Sequence, residues 1–154
     1  MSEPVPTPSV AVVVLHYERP HLLSECLRSV DENDFAEVGP RIVVDNASPG
    51  GPPDLPAGWV LVQADRNGGY GAGMNLGIGH AGQADYVLLL THDVVLRPAC
   101  IRELVTHSME AGPLTLSGPL LFDRAQEAVF SSGGEVRGIR WALPHRRDAP
   151  PPHE

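Results

Sequence analysis

Two aspartates and two histidines in this chain stand where an apolar run stops: His16 after Val10–Leu15, Asp45 after Ile42–Val44, and His92 with Asp93 after Tyr86–Leu90 and Thr91. A short unbroken apolar run reads as a strand buried on both faces, the kind found in a parallel sheet, and Tyr86–Leu90 is expected at its centre. Polar residues at the carboxyl ends of such strands lie at the edge where open α/β sheets bind ligands. A carboxylate such as Asp93, completed by phosphate oxygens and waters, is a sufficient ligand set for Mg²⁺ or Mn²⁺. His92 is its neighbour, but consecutive residues leave a strand end in different directions, so it is a separate candidate for ligand contact. Asp45, with Asn46 beside it, is a candidate acceptor for a base or ribose donor. His16 and Tyr17 could line the same crevice. Asp45 and Asp93 are also the residue type that caps a turn, and that structural role stands beside the functional one.

A second chemical signal is the run Arg66-Asn67-Gly68-Gly69-Tyr70-Gly71-Ala72-Gly73-Met74-Asn75-Leu76-Gly77, which carries five glycines. Glycine lets a backbone approach a ligand closely. The run lacks the Lys-Ser/Thr pair of a P-loop and does not follow the first strand in a G-x-G-x-x-G pattern, which removes both standard phosphate loops. Its early part is expected to be a loop, and residues 72–81 a glycine-weakened helix.

The elements that must position these residues follow in order. Val10–Leu15 reads as a first strand. Pro20 suits a first helical turn, and Leu22, Leu23, Cys26, Leu27 and Val30 recur on one helical face. Strands are expected at 41–44 and 59–64, with the Pro/Gly cluster 49–53 as a loop between them. After the Tyr86–Leu90 strand, Pro98 opens a second amphipathic helix with Ile101, Leu104, Val105 and Met109 on its stripe, ended by Gly112-Pro113. A fifth strand is expected at 114–117, and a pair of short strands at 128–130 and 140–142. The expected division is a flexible tail over 1–8, one α/β domain over 9–134, and a hairpin remnant with a Pro/Arg-rich tail over 135–154. Alternation of strand and helix predicts an α/β fold with a mostly parallel, Rossmann-like sheet and helices on both faces.

At 154 residues and 42% hydrophobic, the chain is one domain's worth of globular protein. All eleven basic residues are arginine and the formal charge is −8, which argues against a nucleic-acid binder needing a basic face. A nucleotide remains compatible, because a divalent cation can bridge an acidic site to a diphosphate. Cys26 and Cys100 have no metal-ligand spacing and read as small buried hydrophobes of a reducing compartment. No signal peptide or membrane span is evident, so a cytoplasmic location is expected, with peripheral attachment to the inner membrane face as a variant.

Taken in order, VVVLHYERPHLLSECLRSV, VVDNASPG, RNGGYGAGMNLGI, ADYVLLLTHDVVL, LSGPLLF and SSGG resemble a family-2 nucleotide-sugar glycosyltransferase, especially its rhamnosyltransferase-like branch. The resemblance implies a GT-A fold, a nucleoside-diphosphate sugar donor, a divalent metal (Mg²⁺ or Mn²⁺) and transfer with inversion to an acceptor hydroxyl. The resemblance leaves the acceptor open among a glycan, a lipid-linked group and a small molecule. By position, His16, Tyr17 and Glu18 match the first-strand residues bordering the nucleoside, and Asp45 with Asn46 matches the base-recognising aspartate. Arg66, Asn67, Gly69, Gly71 and Asn75 match the loop and helix along the donor, with His92 beside it. Asp93 matches the last, metal-binding aspartate of a DxD-type motif.

Two departures accompany the match. Thr91-His92-Asp93 has threonine where relatives commonly carry an acidic residue or asparagine. No segment matches the family's downstream catalytic carboxylate, Glu135, Asp148 and Glu154 being the carboxylates beyond residue 134. The chain therefore reads as the donor-binding half of an enzyme, with self-association into a homo-oligomer as one consequence of an apolar face left open. The rival reading is a non-catalytic nucleotide-binding or interaction module on the same fold. A nucleotidyltransferase fits less well, since Arg66 is the sole basic residue near the glycine-rich run.

Overall fold

The structure, a computed structural model, describes residues 7–113, 115–123, 125 and 128–132. The chain divides into two units, Met1–Val105 and Thr106–Glu154.

In the first unit, β1 (Val10–His16), β2 (Val38–Asp45), β3 (Trp59–Gln63) and β4 (Tyr86–Thr91) form one sheet in the order β3-β2-β1-β4. All three pairings are parallel. The β-branched run of β1 is buried along its whole length, as a strand with neighbours on both sides and helices on both faces requires. Alternate residues point to opposite faces. Val10, Val12 and Val14 join Leu23, Cys26, Leu27 and Val30 of α1 (Pro20–Asp31) and Ile101 and Val105 of α3 (Cys100–Ala111). Val13 and Leu15 instead join Ile42, Val44 and Met74 of α2 (Gly69–Ile78). Helices thus cover both faces of a parallel sheet, the three-layer α/β architecture expected from the sequence.

The seam between α2 and the sheet explains two of the glycines. Gly73 and Gly77, one turn apart, face the sheet so closely that a Cβ at Gly73 would strike Leu15 Cδ1, and one at Gly77 would strike Val13 Cγ1 and Val44 Cγ2. The amino end of the sheet is closed by a reciprocal clamp. Ser9 donates its N–H (2.8 Å) and its hydroxyl (2.9 Å) to Asp85 Oδ2, while the Asp85 N–H donates back to Ser9 Oγ (3.2 Å).

Three local expectations are corrected. Tyr86–Thr91 is an edge strand of the described sheet, since β1 occupies the position between β2 and β4; Val87 and Leu89 are accordingly part-exposed at 38% and 37%. Helix α2 begins at Gly69, three residues before the expected start, because Gly69 itself takes up the left-handed entry with φ 79°. Residues 115–117 form no strand, Leu116 being solvent-exposed with Gly118-Pro119 following, and Leu114 lies outside the described residues. Of the expected pair of short strands the first forms, as Val129–Ser131 (β6), and it pairs antiparallel with Leu121–Phe122 (β5). The expected partner at 140–142 lies outside the described residues, as does all of 133–154.

Among the described residues, no helix is long and apolar enough to cross a membrane.

Candidate functional site

The chain runs from β1 to β2 to β3 in one direction across the sheet and then returns to the other side of β1 for β4. That reversal makes a topological switch point between β1 and β4, the place where open α/β sheets bind ligands at the carboxyl ends of their strands. His16–Arg19 leave β1 into α1 at this place, and Thr91–Asp93 leave β4. Pairing continues past the strand ends: the His92 N–H donates to Leu15 O (3.1 Å) and the Asn46 N–H to His16 O (2.8 Å). The three strand ends that the sequence singles out are therefore held side by side by backbone hydrogen bonds.

The backbone here is unusual. Glu18 (φ 56°), Arg19 (φ 55°) and Ala47 (φ 59°) are the non-glycine residues in left-handed conformation among those described. All three lie just beyond the carboxyl ends of β1 and β2. Each costs about 1–3 kcal/mol and persists only where surrounding contacts over-determine it. Arg19 also occupies the N-cap of α1 with no side-chain cap, and the helix has no acidic residue in its first turn. A cation at the positive end of a helix dipole is unfavourable by itself and becomes favourable with an anion between them.

His16 is buried at 2% exposure, and its Nδ1 has no hydrogen-bond partner. Its ring meets the His92 ring edge-on, with centroids 5.3 Å apart. Burial first, and repulsion from His92 second, pull the His16 pKa below the usual histidine value, against an opposing pull from Asp45. A neutral His16 follows at pH 7. His92 is part-buried and sets its Nδ1 3.3 Å from Leu15 O.

Asp93, by contrast, is exposed just beyond the carboxyl end of β4. A hydrogen bond from the Thr91 side chain is the main cause holding its carboxyl below the ordinary range; burial opposes this, and His92 and Arg19 add smaller electrostatic support. The result is an ionised, accessible carboxylate. Cys26, close enough to Asp93 to feel its charge, has its thiol pushed up to about 12, chiefly by burial, and is chemically inert.

Asp45 ends β2 opposite His16 and is 2% exposed. Its carboxylate accepts from the Ser48 hydroxyl in a short bond and, at 3.4 Å to each oxygen, from the Ser48 N–H. Asn46 turns the other way and clamps the glycine loop. Its Nδ2 donates to Asn67 Oδ1 (2.9 Å), and its Oδ1 accepts from the Gly68 N–H (3.2 Å). Asn67 Oδ1 also accepts from the Gly69 N–H (3.0 Å). Both asparagines therefore hold the entry to α2.

The structure thus brings His16, Asp45, Asn46, Asn67, Gly69, His92 and Asp93 to one edge of the sheet. Tyr17 and Glu18 lie exposed on the β1–α1 turn. Arg66 and Asn75 are exposed at the ends of the glycine run, and Gly71 has open space where a Cβ would be, so the fold itself places no demand for glycine there. Sequence reading passes over Arg19 and Thr91. The Thr91-x-Asp93 spacing offers a signal, since a hydroxyl two residues before a carboxylate can reach it; Arg19 becomes visible only through its left-handed backbone.

Among the described residues, no three His, Cys, Asp or Glu side chains form a ready-made metal cage. The donor set fits a divalent cation held jointly by Asp93 and a ligand's own phosphate oxygens, the mode in which Mg²⁺ is commonly bound.

The model of Glycosyl transferase family 2 matches residues 11–126. No curated protein matches the chain. Among solved structures, a 1–349 fragment of S. aureus TarS in complex with UDP-GlcNAc is similar, with TM-score 0.55 and 18% identity over 75% of this chain and 38% of that one. The structure of S. aureus TarS gives TM-score 0.55 and 18% identity, covering 82% of this chain and 24% of that one. A further structure of the 1–349 fragment gives TM-score 0.53 and 20% identity over 83% and 41%. These likenesses establish a shared fold, and the chain spans well under half the length of the solved chains it resembles.

Proposed function

The chain belongs to glycosyl transferase family 2, and on that premise we propose that it carries the donor site for a nucleoside-diphosphate sugar over residues 9–134. The observation that supports this most is the meeting, at the β1/β4 switch point, of an accessible ionised Asp93 with Arg19 and the uncapped start of α1. An ionised carboxylate beside cationic and dipolar groups suits a diphosphate that arrives with its own cation.

In this reading Asp45 accepts a hydrogen bond from the base, His16, Tyr17 and Glu18 border the nucleoside, and Arg66–Gly71 with Asn75 run along the sugar. Asp93 would hold Mg²⁺ or Mn²⁺ together with the diphosphate, with His92 lining the same end. Such a cation would supply charge neutralisation for a nucleoside-diphosphate leaving group. Arg19 adds positive charge at that end. The reaction is inverting transfer to a hydroxyl acceptor, which requires a general base to take the hydroxyl proton. No residue of this chain is assigned that role. The setting is cytoplasmic, and a homo-oligomer is compatible with it.

UDP-GlcNAc is bound by the TarS fragment, so a uridine nucleotide is the first to test. Thermal unfolding is measured with UDP, dTDP and GDP, each with and without Mn²⁺. Stabilisation of about 2.7 kcal/mol is expected at a hundredfold excess over the dissociation constant for one nucleotide with Mn²⁺. Absence of a shift with all three would contradict an intact donor site. A non-catalytic nucleotide-binding module is the second reading, favoured by the engagement of His92 with His16 and Leu15 O. It expects nucleotide binding without sugar transfer.

A further inference from the structure

In the donor-site reading Asp45, the last residue of β2, accepts from the base, and an acceptor free to rotate would discriminate poorly between bases. Ser48 fixes this one. The Glu18 N–H donates to Ser48 Oγ at 2.9 Å, across thirty residues of chain. A serine hydroxyl has a single proton. With Glu18 as donor to the oxygen, that proton is directed onto Asp45 Oδ1, where the bond is short. Oδ2 is left with only the weak 3.4 Å approach of the Ser48 N–H. Oδ1 is committed to the Ser48 hydroxyl, and Oδ2 keeps the capacity to accept a further hydrogen bond.

We infer that Ser48 is a positioning residue for base selection: it orients the Asp45 carboxylate by relaying a hydrogen bond from the left-handed β1–α1 turn. This rests on the donor-site reading above and names the device that makes it selective. The same hydrogen bond ties down the turn at the left-handed Glu18. The turn that carries Arg19 toward Asp93 is thereby tied to the aspartate at the base end.

Affinities for UDP, CDP, GDP and ADP, each with Mn²⁺, are measured by calorimetry on the wild type, Ser48→Ala and Ser48→Thr. Inorganic pyrophosphate with Mn²⁺ serves as a probe that has no base. Ser48→Ala is expected to lower affinity for the preferred nucleotide about tenfold, the size of one charge-assisted hydrogen bond. The least preferred nucleotide and pyrophosphate should be unchanged, so the preference ratio narrows by the same factor. Ser48→Thr, which keeps the hydroxyl, should restore the ratio. Equal weakening of all four nucleotides by Ser48→Ala, or an unchanged ratio, would overturn the inference while leaving the donor site standing. A wild type that binds no nucleotide would overturn the donor-site reading itself, and this inference with it.

Discussion

The two ends of the same sheet are built on opposite terms. At the amino end, Ser9 and Asp85 satisfy one another reciprocally, the Tyr86 N–H donates to Ser9 O, and the Val10 N–H donates to Glu37 O. At the carboxyl end, His16 Nδ1 is buried without a partner, two imidazoles are pressed together, and Glu18, Arg19 and Ala47 are all left-handed. The valines of β1 run from one end to the other, so the difference does not come from the strand. It comes from the residues just beyond the strand's carboxyl end. Local rules are kept at the amino end and broken at the carboxyl end, the pattern expected where polar groups serve a ligand, and the apolar seam against α1 stabilises the whole.

That contrast can be broken from either side. Leu23→Ala, in the seam, should cost about 2–5 kcal/mol in urea unfolding, and nucleotide affinity should be unchanged wherever the protein remains folded. Asp93→Ala should do the reverse. Mn²⁺-dependent UDP affinity should fall on the order of 100-fold in calorimetry, with stability within about 0.5 kcal/mol of wild type.

The glycine run sharpens the comparison within one helix. Gly77→Ala overpacks the seam onto Val13 and Val44 and should cost about 1–3 kcal/mol. Gly71→Ala meets nothing in the fold and should leave stability equal or slightly raised, as alanine is the better helix former, while weakening nucleotide binding. The smallest effect concerns pH. The folded-state pKa of His16 is depressed by burial, so the unfolded chain takes up this proton first as pH falls. The stability it contributes is fully present above about pH 6.5, the ordinary histidine value, and is lost as pH falls through the lower folded-state value. Each pH unit is worth at most about 1.4 kcal/mol for one proton. Replacement by glutamine should flatten that slope in unfolding curves taken between pH 5 and 7.5.

Much of this was legible in the residues. The stripe Leu22, Leu23, Cys26, Leu27 and Val30 has helical spacing, and all five are buried in α1. Alternating strands and helices pointed to the parallel sheet, and the apolar runs located the ends where Asp45 and Asp93 lie. The position of β4 was not legible, because an unbroken apolar run looks the same at the centre of a sheet and at an edge where Val87 and Leu89 are part-exposed. The division of labour among the glycines was hidden too. Spacing alone does not say that Gly73 and Gly77 face the sheet while Gly71 faces open space. The His16–His92 contact and the Ser48 relay join residues far apart in the chain, so they depend on register that only the fold supplies.

The most direct test of a donor site at the carboxyl ends is amide hydrogen exchange with and without UDP and Mn²⁺. Protection is expected at 16–19, 45–48, 67–71 and 91–93, with the amino-end clamp around Ser9 and Asp85 unchanged. Protection centred on the amino end, or no change at any of the four segments under saturating ligand, would contradict it.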